Sequence, residues 1–230
     1  MIRGVVFDLD HTLSDRYGTI CEIAKNLRGT FRIAEGVDDA QLTKTWIELD
    51  KRYVHFGFQK VYTAFASSGL FAEPCPTVDD FVKFHREQFS RIAVPLPYIL
   101  PLFETLRTRG LKLGLITNGE AFVQRSKLHL LGLENRFDKV LIGGEFGIQK
   151  PHHEIFDAMS DSLGIPAEQL MYVGDNPVND VKGSRGAGYT PVWVRTIPHW
   201  SFPDIRMPRY RINTVAELMN FDFDSIEHAD

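Results

Sequence analysis

Acidic, basic, hydroxyl and amide side chains lie at the ends of several short apolar runs of this sequence or shortly after them. They are Asp8, Asp10, Thr12, Thr117, Asn118, Lys150, Asp175 and Asp180. Clustered carboxylates raise one another's pKa unless a cation neutralises them, and Mg²⁺ suits one or two carboxylates together with phosphate and water. A lysine, a hydroxyl and turn amides at the same place would bind an anion. The set suggests phosphoryl transfer, in which one carboxylate attacks phosphorus and another moves protons.

The elements that would position these side chains are strands covered on both faces, because the apolar runs are continuous rather than alternating. The runs are Gly4–Asp10, Leu111–Thr117, Lys139–Ile142, Leu170–Gly174 and Thr190–Val194. Helical patterns separate the later runs, and in one of them Phe122, Leu128 and Leu131 recur at helical spacing. The alternation predicts an α/β fold, with a doubly wound, Rossmann-like parallel sheet as its core. Ligands of such sheets bind at the carboxyl ends of the strands, where the polar side chains would meet.

The segment between the first and second predicted strands is too long for an ordinary crossover connection. Residues 14–94 contain helical patterns and no clear strand, with apolar side chains at helical intervals in Ala40–Tyr53, Phe58–Ser68 and Val78–Phe89. The sequence therefore predicts an all-helical domain over residues 14–94. It would be inserted into a catalytic core made of residues 1–13 and 95–230.

Four motifs carry a resemblance to a known family. They are "DLDHT" (Asp8–Thr12), "TNG" (Thr117–Gly119), "KP" (Lys150-Pro151) and "GDNPVND" (Gly174–Asp180). In this order, each after a predicted strand, they resemble the four motifs of the haloacid dehalogenase-like superfamily, in its phosphatase type. The resemblance covers most of the chain. It also implies that the helical insert is a cap that closes over the site and excludes water.

The resemblance implies catalytic roles for the matching positions. Asp8 would be the nucleophile, Asp10 the general acid and base, and Lys150 would orient Asp8 and offset its charge against the phosphate. Thr12 would support Asp10 by orienting it. Side chains two apart share a face only while a strand stays regular. The turn after Asp8 must therefore separate the roles of the two carboxylates.

The same resemblance implies binding roles. Mg²⁺ would be held by Asp8, Asp175 and the backbone carbonyl of Asp10, with Asp180 supporting the metal through water. The phosphate would be bound by Thr117, Asn118 and Lys150. For Asp180, a second interpretation is open from the residues alone, namely that it caps the amino end of a helix beginning at Val181.

Bulk composition narrows the classes of function. The chain has 230 residues, of which 43% are hydrophobic and 24% charged, with a formal net charge of −4. A nucleic-acid polymer or an anionic membrane surface would call for a basic face, so neither is expected as a partner. The two cysteines have no CxxC spacing, and no apolar leader or membrane-length run is visible. We expect a cytoplasmic protein, monomeric or homodimeric, whose partner is a small phosphorylated metabolite.

These observations predict a Mg²⁺-dependent phosphomonoester hydrolase that works through an aspartyl-phosphate intermediate. Its substrate would be a nucleoside monophosphate, phosphoglycolate or a sugar phosphate. Two alternatives stay open: a phosphomutase on the same core, and a non-catalytic regulatory or binding member of the superfamily. Dehalogenase chemistry is disfavoured, because those relatives replace the second acid of the first motif, whereas Asp10 and Asp175 are both present here.

Overall fold

The computed structural model describes residues 1–197 and 199–226, and the chain divides into two compact units. The first unit comprises Met1–Asp15 and Pro95–Asp230, and the second comprises Arg16–Val94. Residues 227–230, the end of the predicted core, lie outside the described part of the chain.

The first unit contains a six-stranded sheet in which every neighbouring pair of strands is parallel. The strands are β1 (Gly4–Phe7), β2 (Lys112–Thr117), β3 (Lys139–Ile142), β4 (Leu170–Gly174), β5 (Thr190–Val194) and β6 (Tyr210–Ile212). Their order across the sheet is β3-β2-β1-β4-β5-β6. The predicted α/β, doubly wound fold class is therefore confirmed. Two details differ from the sequence prediction: β1 ends at Phe7 rather than Asp10, and β6 was not predicted.

The second unit is helical, as the sequence predicts for this segment. Its α-helices are α1 (Arg16–Ala24), α2 (Leu27–Thr30), α3 (Asp39–Tyr53), α4 (Phe58–Ala66) and α5 (Val78–Phe89), and a 3₁₀ helix, Val54–Phe56, follows α3. Aromatic side chains form its interior: the ring of Phe65 lies 5.5 Å from Trp46 and 5.3 Å from Phe81. A buried ion pair, Arg16 with Asp50 at 2.8 Å, joins α1 to α3.

Helices cover both faces of the sheet. They are α6 (Ile99–Thr108), α7 (Ala121–Leu130), α8 (Gly143–Phe146), α9 (His153–Leu163) and α10 (Gly183–Gly186). Successive residues of β1 point to opposite faces, as in any strand. Val6 packs in one cluster with Met159 of α9, whereas the ring of Phe7 lies 5.6 Å from that of Phe103 in α6. Burial on both faces explains why the strands read as continuous apolar runs.

Every helix within residues 1–197 and 199–226 is too short or too polar to cross a lipid bilayer.

Candidate active site

Asp8 lies at the carboxyl end of the central strand β1. Its backbone N–H donates to the carbonyl oxygen of Val173 at 2.9 Å, which extends the ladder with β4 one residue beyond β1. Strand β1 lies between β2 and β4, so the winding of the sheet reverses there. This is the position at which open α/β sheets bind their ligands. The Asp8 side chain is thus held by a buried, hydrogen-bonded backbone.

The ammonium of Lys150 donates hydrogen bonds to three side chains of the site. It donates to Asp8 Oδ1 at 2.6 Å, to Asp180 Oδ1 at 2.7 Å and to the Tyr172 hydroxyl at 2.7 Å. The Tyr172 hydroxyl in turn donates to the carbonyl oxygen of Ile116 at 3.0 Å. The Lys150 ammonium is therefore fixed by Asp8 at the end of β1, by Tyr172 of β4 and by Asp180. Tyr172 was not predicted as a site residue, because a tyrosine within an apolar strand reads as core.

Three carboxylates gather beside this ammonium. Ligand oxygens of Asp8, Asp175 and Asp180 all lie within 4.8 Å of one another, and all three residues are buried. Burial and the charges of Asp180 and Asp175 raise the pKa of Asp8 well above its usual value, although Lys150 opposes the shift. Burial favours the neutral form of Lys150 and so acts to lower its pKa. The charges of Asp180 and Asp8 and their hydrogen bonds with the ammonium outweigh burial, and the pKa of Lys150 is raised.

The donor set fits a divalent cation. The Lys150 ammonium pairs with Asp8 and Asp180, two of the three buried carboxylates, so the negative charge of the group exceeds the charge of this ammonium, and the available ligand atoms are hard oxygens. Mg²⁺ and Ca²⁺ prefer such ligands, and Mg²⁺ commonly takes only one or two carboxylates from the protein. The geometry of Asp8, Asp175 and Asp180 is therefore suited to a hard divalent ion.

Asp175 accepts hydrogen bonds from one residue of β5 and from one residue of the loop that follows β5. The indole N–H of Trp193 donates to the Asp175 carbonyl oxygen at 2.9 Å, and the Thr196 hydroxyl donates to its Oδ2 at 3.1 Å. Hydrogen bonds of this kind fix the orientation of a metal-ligating carboxylate. Neither partner was predicted, because Trp193 lies 18 residues and Thr196 lies 21 residues after Asp175, outside the motif.

Asp180 lies inside a helix, not at its start. The helix Pro177–Lys182 has π-type hydrogen bonding, and the side chain of Asn176 caps it. The interpretation of Asp180 as the cap of a helix beginning at Val181 is therefore wrong. Its Oδ2 instead accepts from the Asn176 N–H at 2.8 Å. A side chain on Gly174 would collide with this carboxylate, which explains the glycine there.

The predicted phosphate-binding turn is tied to Lys150 through its backbone. Asn118 Oδ1 accepts from the Lys150 N–H at 2.9 Å, and Asn118 Nδ2 donates to the Lys150 carbonyl oxygen at 2.9 Å. The hydroxyl oxygen of Thr117 accepts from Gln124 Nε2 at 2.5 Å. The structure therefore brings Thr117 and Asn118 together with Lys150 at one edge of the sheet.

The chain turns sharply after Asp8 and separates its carboxylate from that of Asp10. Strand β1 has ended, Asp10 forms an isolated bridge with Ser14, and His11 adopts a left-handed backbone with φ 62°. Non-glycine residues seldom occupy that region, so it marks a specified turn. The side chain of Asp10 lies outside the three-carboxylate group.

The Asp10 carboxylate contacts helix α7 instead. Each of its oxygens lies 2.8 Å from Lys127 Nζ, and its Oδ2 accepts from Gln124 Nε2 at 3.2 Å. Lys127 and Gln124 were not predicted as site residues. The hydroxyl of Thr12 is buried and has no hydrogen-bond partner among the described residues, so its support of Asp10 stays a prediction.

This chain is similar to known proteins over most of its length. Residues 5–194 match the family described as haloacid dehalogenase-like hydrolases. A glyceraldehyde 3-phosphate phosphatase of Methanocaldococcus jannaschii is 30% identical over 96% of each chain. The pyrimidine 5'-nucleotidase YjjG of Escherichia coli is 32% identical over 56% of this chain and 57% of its own. The HAD-hydrolase YfnB of Bacillus subtilis, solved with bound magnesium, superposes with a TM-score of 0.69, 23% identity and coverage of 95% and 97%.

Proposed function

The chain belongs to the haloacid dehalogenase-like hydrolase family and is a phosphatase, and from that premise we propose that it hydrolyses small phosphorylated metabolites with Mg²⁺ through an aspartyl phosphate. The residues that would hold the metal are Asp8, Asp175 and the backbone carbonyl of Asp10, with Asp180 beside them. When bound there, Mg²⁺ supplies positive charge that offsets the charge of the phosphate.

In the first half-reaction, an oxygen of the Asp8 carboxylate attacks phosphorus and the bond from phosphorus to the ester oxygen breaks. Asp10 gives its proton to the departing oxygen, which leaves as an alcohol. Lys150 already holds Asp8 Oδ1 at 2.6 Å, so the nucleophile is oriented before substrate binds. The Thr117 hydroxyl accepts from Gln124 and donates to the carbonyl oxygen of Asn118 at 3.3 Å, and in the proposed reaction it turns that proton to a phosphate oxygen when substrate binds.

In the second half-reaction, Asp10 accepts a proton from water, and the water oxygen attacks the aspartyl phosphate. The bond between phosphorus and the Asp8 oxygen breaks, so inorganic phosphate and the original carboxylate are regenerated. Asp10 can act as the base in the second half-reaction because it has lost its proton in the first.

The observation that carries this proposal is the difference between the environments of two carboxylates that are two residues apart. Asp8 is buried beside Lys150, Asp175 and Asp180, whereas Asp10 is directed to Lys127 and away from that group. Carboxylates whose surroundings differ in this way take different chemical roles. A nucleophile and a separate proton carrier are the two roles that phosphomonoester hydrolysis by this route needs.

Phosphate release is expected to require a divalent cation. We predict that excess chelator lowers the rate by about 10²-fold or more, and that Mg²⁺ added beyond the chelator restores it. The measurement is phosphate released from glyceraldehyde 3-phosphate, nucleoside monophosphates, phosphoglycolate, sugar phosphates and 4-nitrophenyl phosphate. The substrate with the highest kcat/KM identifies the specificity. Full activity in chelator would contradict the metal-dependent route.

The same assay separates the alternatives. An isomerised sugar phosphate without free phosphate would indicate a phosphomutase, and no turnover by a folded, Mg²⁺-binding protein would indicate a regulatory member. We also propose that the helical unit Arg16–Val94 is the cap that selects among substrates, since fold and core motifs alone do not choose one.

The hydroxyl of Tyr172 is expected to matter for the rate as well as for stability. Tyr172→Phe keeps the ring but removes a hydrogen-bond partner of Lys150 and of the Ile116 carbonyl. We predict a loss of about 1–3 kcal/mol in the free energy of unfolding and a kcat/KM lower by about tenfold. Denaturant unfolding and steady-state kinetics measure the two effects.

Tyr189→Phe is the matched control. The Tyr189 hydroxyl also donates to a buried carbonyl, that of Phe156 at 2.8 Å, and contacts Ser160 at 2.9 Å. Its removal is expected to cost similar stability but to leave kcat/KM within about twofold, because the Tyr189 hydroxyl bonds helix α9 rather than Lys150 or a carboxylate of the site. Equal losses of activity in both variants would show that Tyr172 acts only through packing.

A further inference from the structure

Helix α7 has two polar side chains where apolar ones would be expected. Gln124 is 2% exposed and Lys127 is 3% exposed, on the same face as the buried Val123 and Leu128. Residues three apart in a helix are neighbours on its surface, so the two polar ends lie side by side. Burying an ammonium is costly unless it is paired and hydrogen-bonded. A methionine would fill the position of Lys127 without that cost.

The partners of this pair are functional groups from two different strand ends. Lys127 Nζ lies 2.8 Å from each oxygen of Asp10, and Gln124 Nε2 lies 3.2 Å from Asp10 Oδ2. The same Gln124 nitrogen lies 2.5 Å from Thr117 Oγ1 and 2.9 Å from the carbonyl oxygen of Asn118. One helix face therefore joins Asp10 to the turn that contains Thr117 and Asn118.

We propose that Lys127, assisted by Gln124, is the positioning residue that aims the Asp10 carboxyl group at the ester oxygen of the substrate. The inference rests on the proposed function, in which Asp10 carries the proton. Two contacts from one ammonium, one to each oxygen, fix both the position and the rotation of a carboxylate. When Asp10 carries its proton on one oxygen, the other oxygen still accepts from Lys127, and the protonated oxygen donates to the leaving group.

Leaving-group dependence distinguishes this role from a structural one. An alkyl phosphate needs a proton on its departing oxygen, whereas 4-nitrophenyl phosphate releases a stable phenolate that needs little help. The ratio kcat/KM covers the steps up to departure of the leaving group, so slow hydrolysis of the aspartyl phosphate does not enter it. A residue that aims the acid therefore affects the two substrates unequally, and a residue that only supports the fold affects them equally.

The experiment compares wild type, Lys127→Met and Lys127→Gln on the best alkyl phosphate of the panel and on 4-nitrophenyl phosphate. We expect Lys127→Met to lower kcat/KM by about 10²-fold for the alkyl ester but by less than about threefold for the aryl ester. Lys127→Gln, which keeps a hydrogen-bond donor, is expected to give a smaller selective loss. It also provides the comparison if Lys127→Met does not fold.

Arg125→Met is the matched control on the same helix. Arg125 makes an exposed ion pair with Glu145 at 2.6 Å, so its replacement is expected to leave both values of kcat/KM unchanged. Asp10→Asn supplies the benchmark for complete loss of the acid. If Lys127 acts through Asp10, Lys127→Met in the Asp10→Asn background should add no further selective loss.

The outcomes separate the inference from the proposed function. Phosphate release by wild type that disappears in Asp8→Asn supports the function whatever Lys127 does. Equal losses for the two esters in Lys127→Met and Lys127→Gln, or selective losses that add to those of Asp10→Asn, would then overturn the role of Lys127 alone. If wild type releases phosphate from neither ester, the proposed function fails and the role of Lys127 fails with it.

Discussion

Replacement of Asp8 by Asn is expected to lower kcat by at least about 10³-fold, because an amide is neither a nucleophile toward phosphorus nor a charged metal ligand. Asn has nearly the shape of Asp, and its Oδ1 can still accept the hydrogen bond that Lys150 donates at 2.6 Å. The measurement is phosphate release under saturating Mg²⁺, on the best substrate of the panel. A variant that turned over at the wild-type rate would contradict the aspartyl-phosphate route.

The same variant has an expected effect on stability that runs in the opposite direction. In the metal-free protein, burial, Asp180 and Asp175 raise the pKa of Asp8 above that of the unfolded chain. The folded state then binds more protons than the unfolded state, so stability falls as pH rises through the raised pKa. Asn cannot ionise. Asp8→Asn is therefore expected to unfold at the same or a higher denaturant concentration than wild type at neutral pH in chelator.

Asp138→Asn is the control for both readouts. Asp138 accepts from the Leu113 N–H at 2.9 Å and from Lys112 at 3.1 Å, and its pKa is lowered because these hydrogen bonds and nearby cations outweigh its partial burial. Its ionised form stabilises the fold above the unfolded pKa, and that contribution is lost as pH falls. Replacing it should lower stability at neutral pH and leave activity unchanged, the reverse of the pattern expected for Asp8.

Much of the site was predictable because the residues at the carboxyl ends of parallel strands lie at the same edge of the sheet. Asp8, Thr117 and Asp175 each follow a continuous apolar run, and a run buried on both faces must lie within the sheet. The carboxyl ends of such strands lie at one edge. The order of the motifs along the chain therefore sufficed to bring these residues together before any contact was known.

The contribution of helix α7 could not be predicted from the same pattern. The helical spacing of Phe122, Leu128 and Leu131 predicts a helix but does not identify its buried side chains, because Phe122 is 57% exposed whereas Gln124 and Lys127 are buried. Helical periodicity assigns polar side chains to solvent. A buried polar face is recognisable only once its partners are known, and Asp10 lies more than a hundred residues away in sequence.

The direction of Asp10 was also beyond sequence reasoning. The spacing rule places side chains two apart on one face of a regular strand, but β1 ends at Phe7. Histidine is more common than most non-glycine residues in the left-handed backbone that His11 adopts, but most histidines do not adopt it, so this residue alone does not mark the turn in the sequence. Strand β6 was missed for a related reason: it has three residues, of which only Ile212 is buried, and three residues are too few to show a period.

Lys150→Met is expected to cost both activity and stability. The lysine is almost fully buried, and its ammonium contacts Asp8 at 2.6 Å and Asp180 at 2.7 Å. Removing one partner of a buried ion pair leaves the other charge uncompensated, typically at a cost of about 3–5 kcal/mol. The remaining carboxylates would also repel an incoming phosphate, so kcat/KM is expected to fall by about 10³-fold. Denaturant unfolding and steady-state kinetics measure the two losses.

The conditions that bring the stability of Lys150→Met closer to that of wild type identify why the variant is unstable. If uncompensated carboxylates are responsible, their protonation at acid pH should narrow the gap to wild type, and Mg²⁺ bound to the folded state should narrow it at neutral pH. Lys112→Met is the control, because Lys112 is 55% exposed in its ion pair with Asp138 and should cost less than about 1 kcal/mol. A Lys150→Met gap that neither protons nor Mg²⁺ reduce would mean that the lysine acts through packing, and that Asp8 and Asp180 do not depend on its charge.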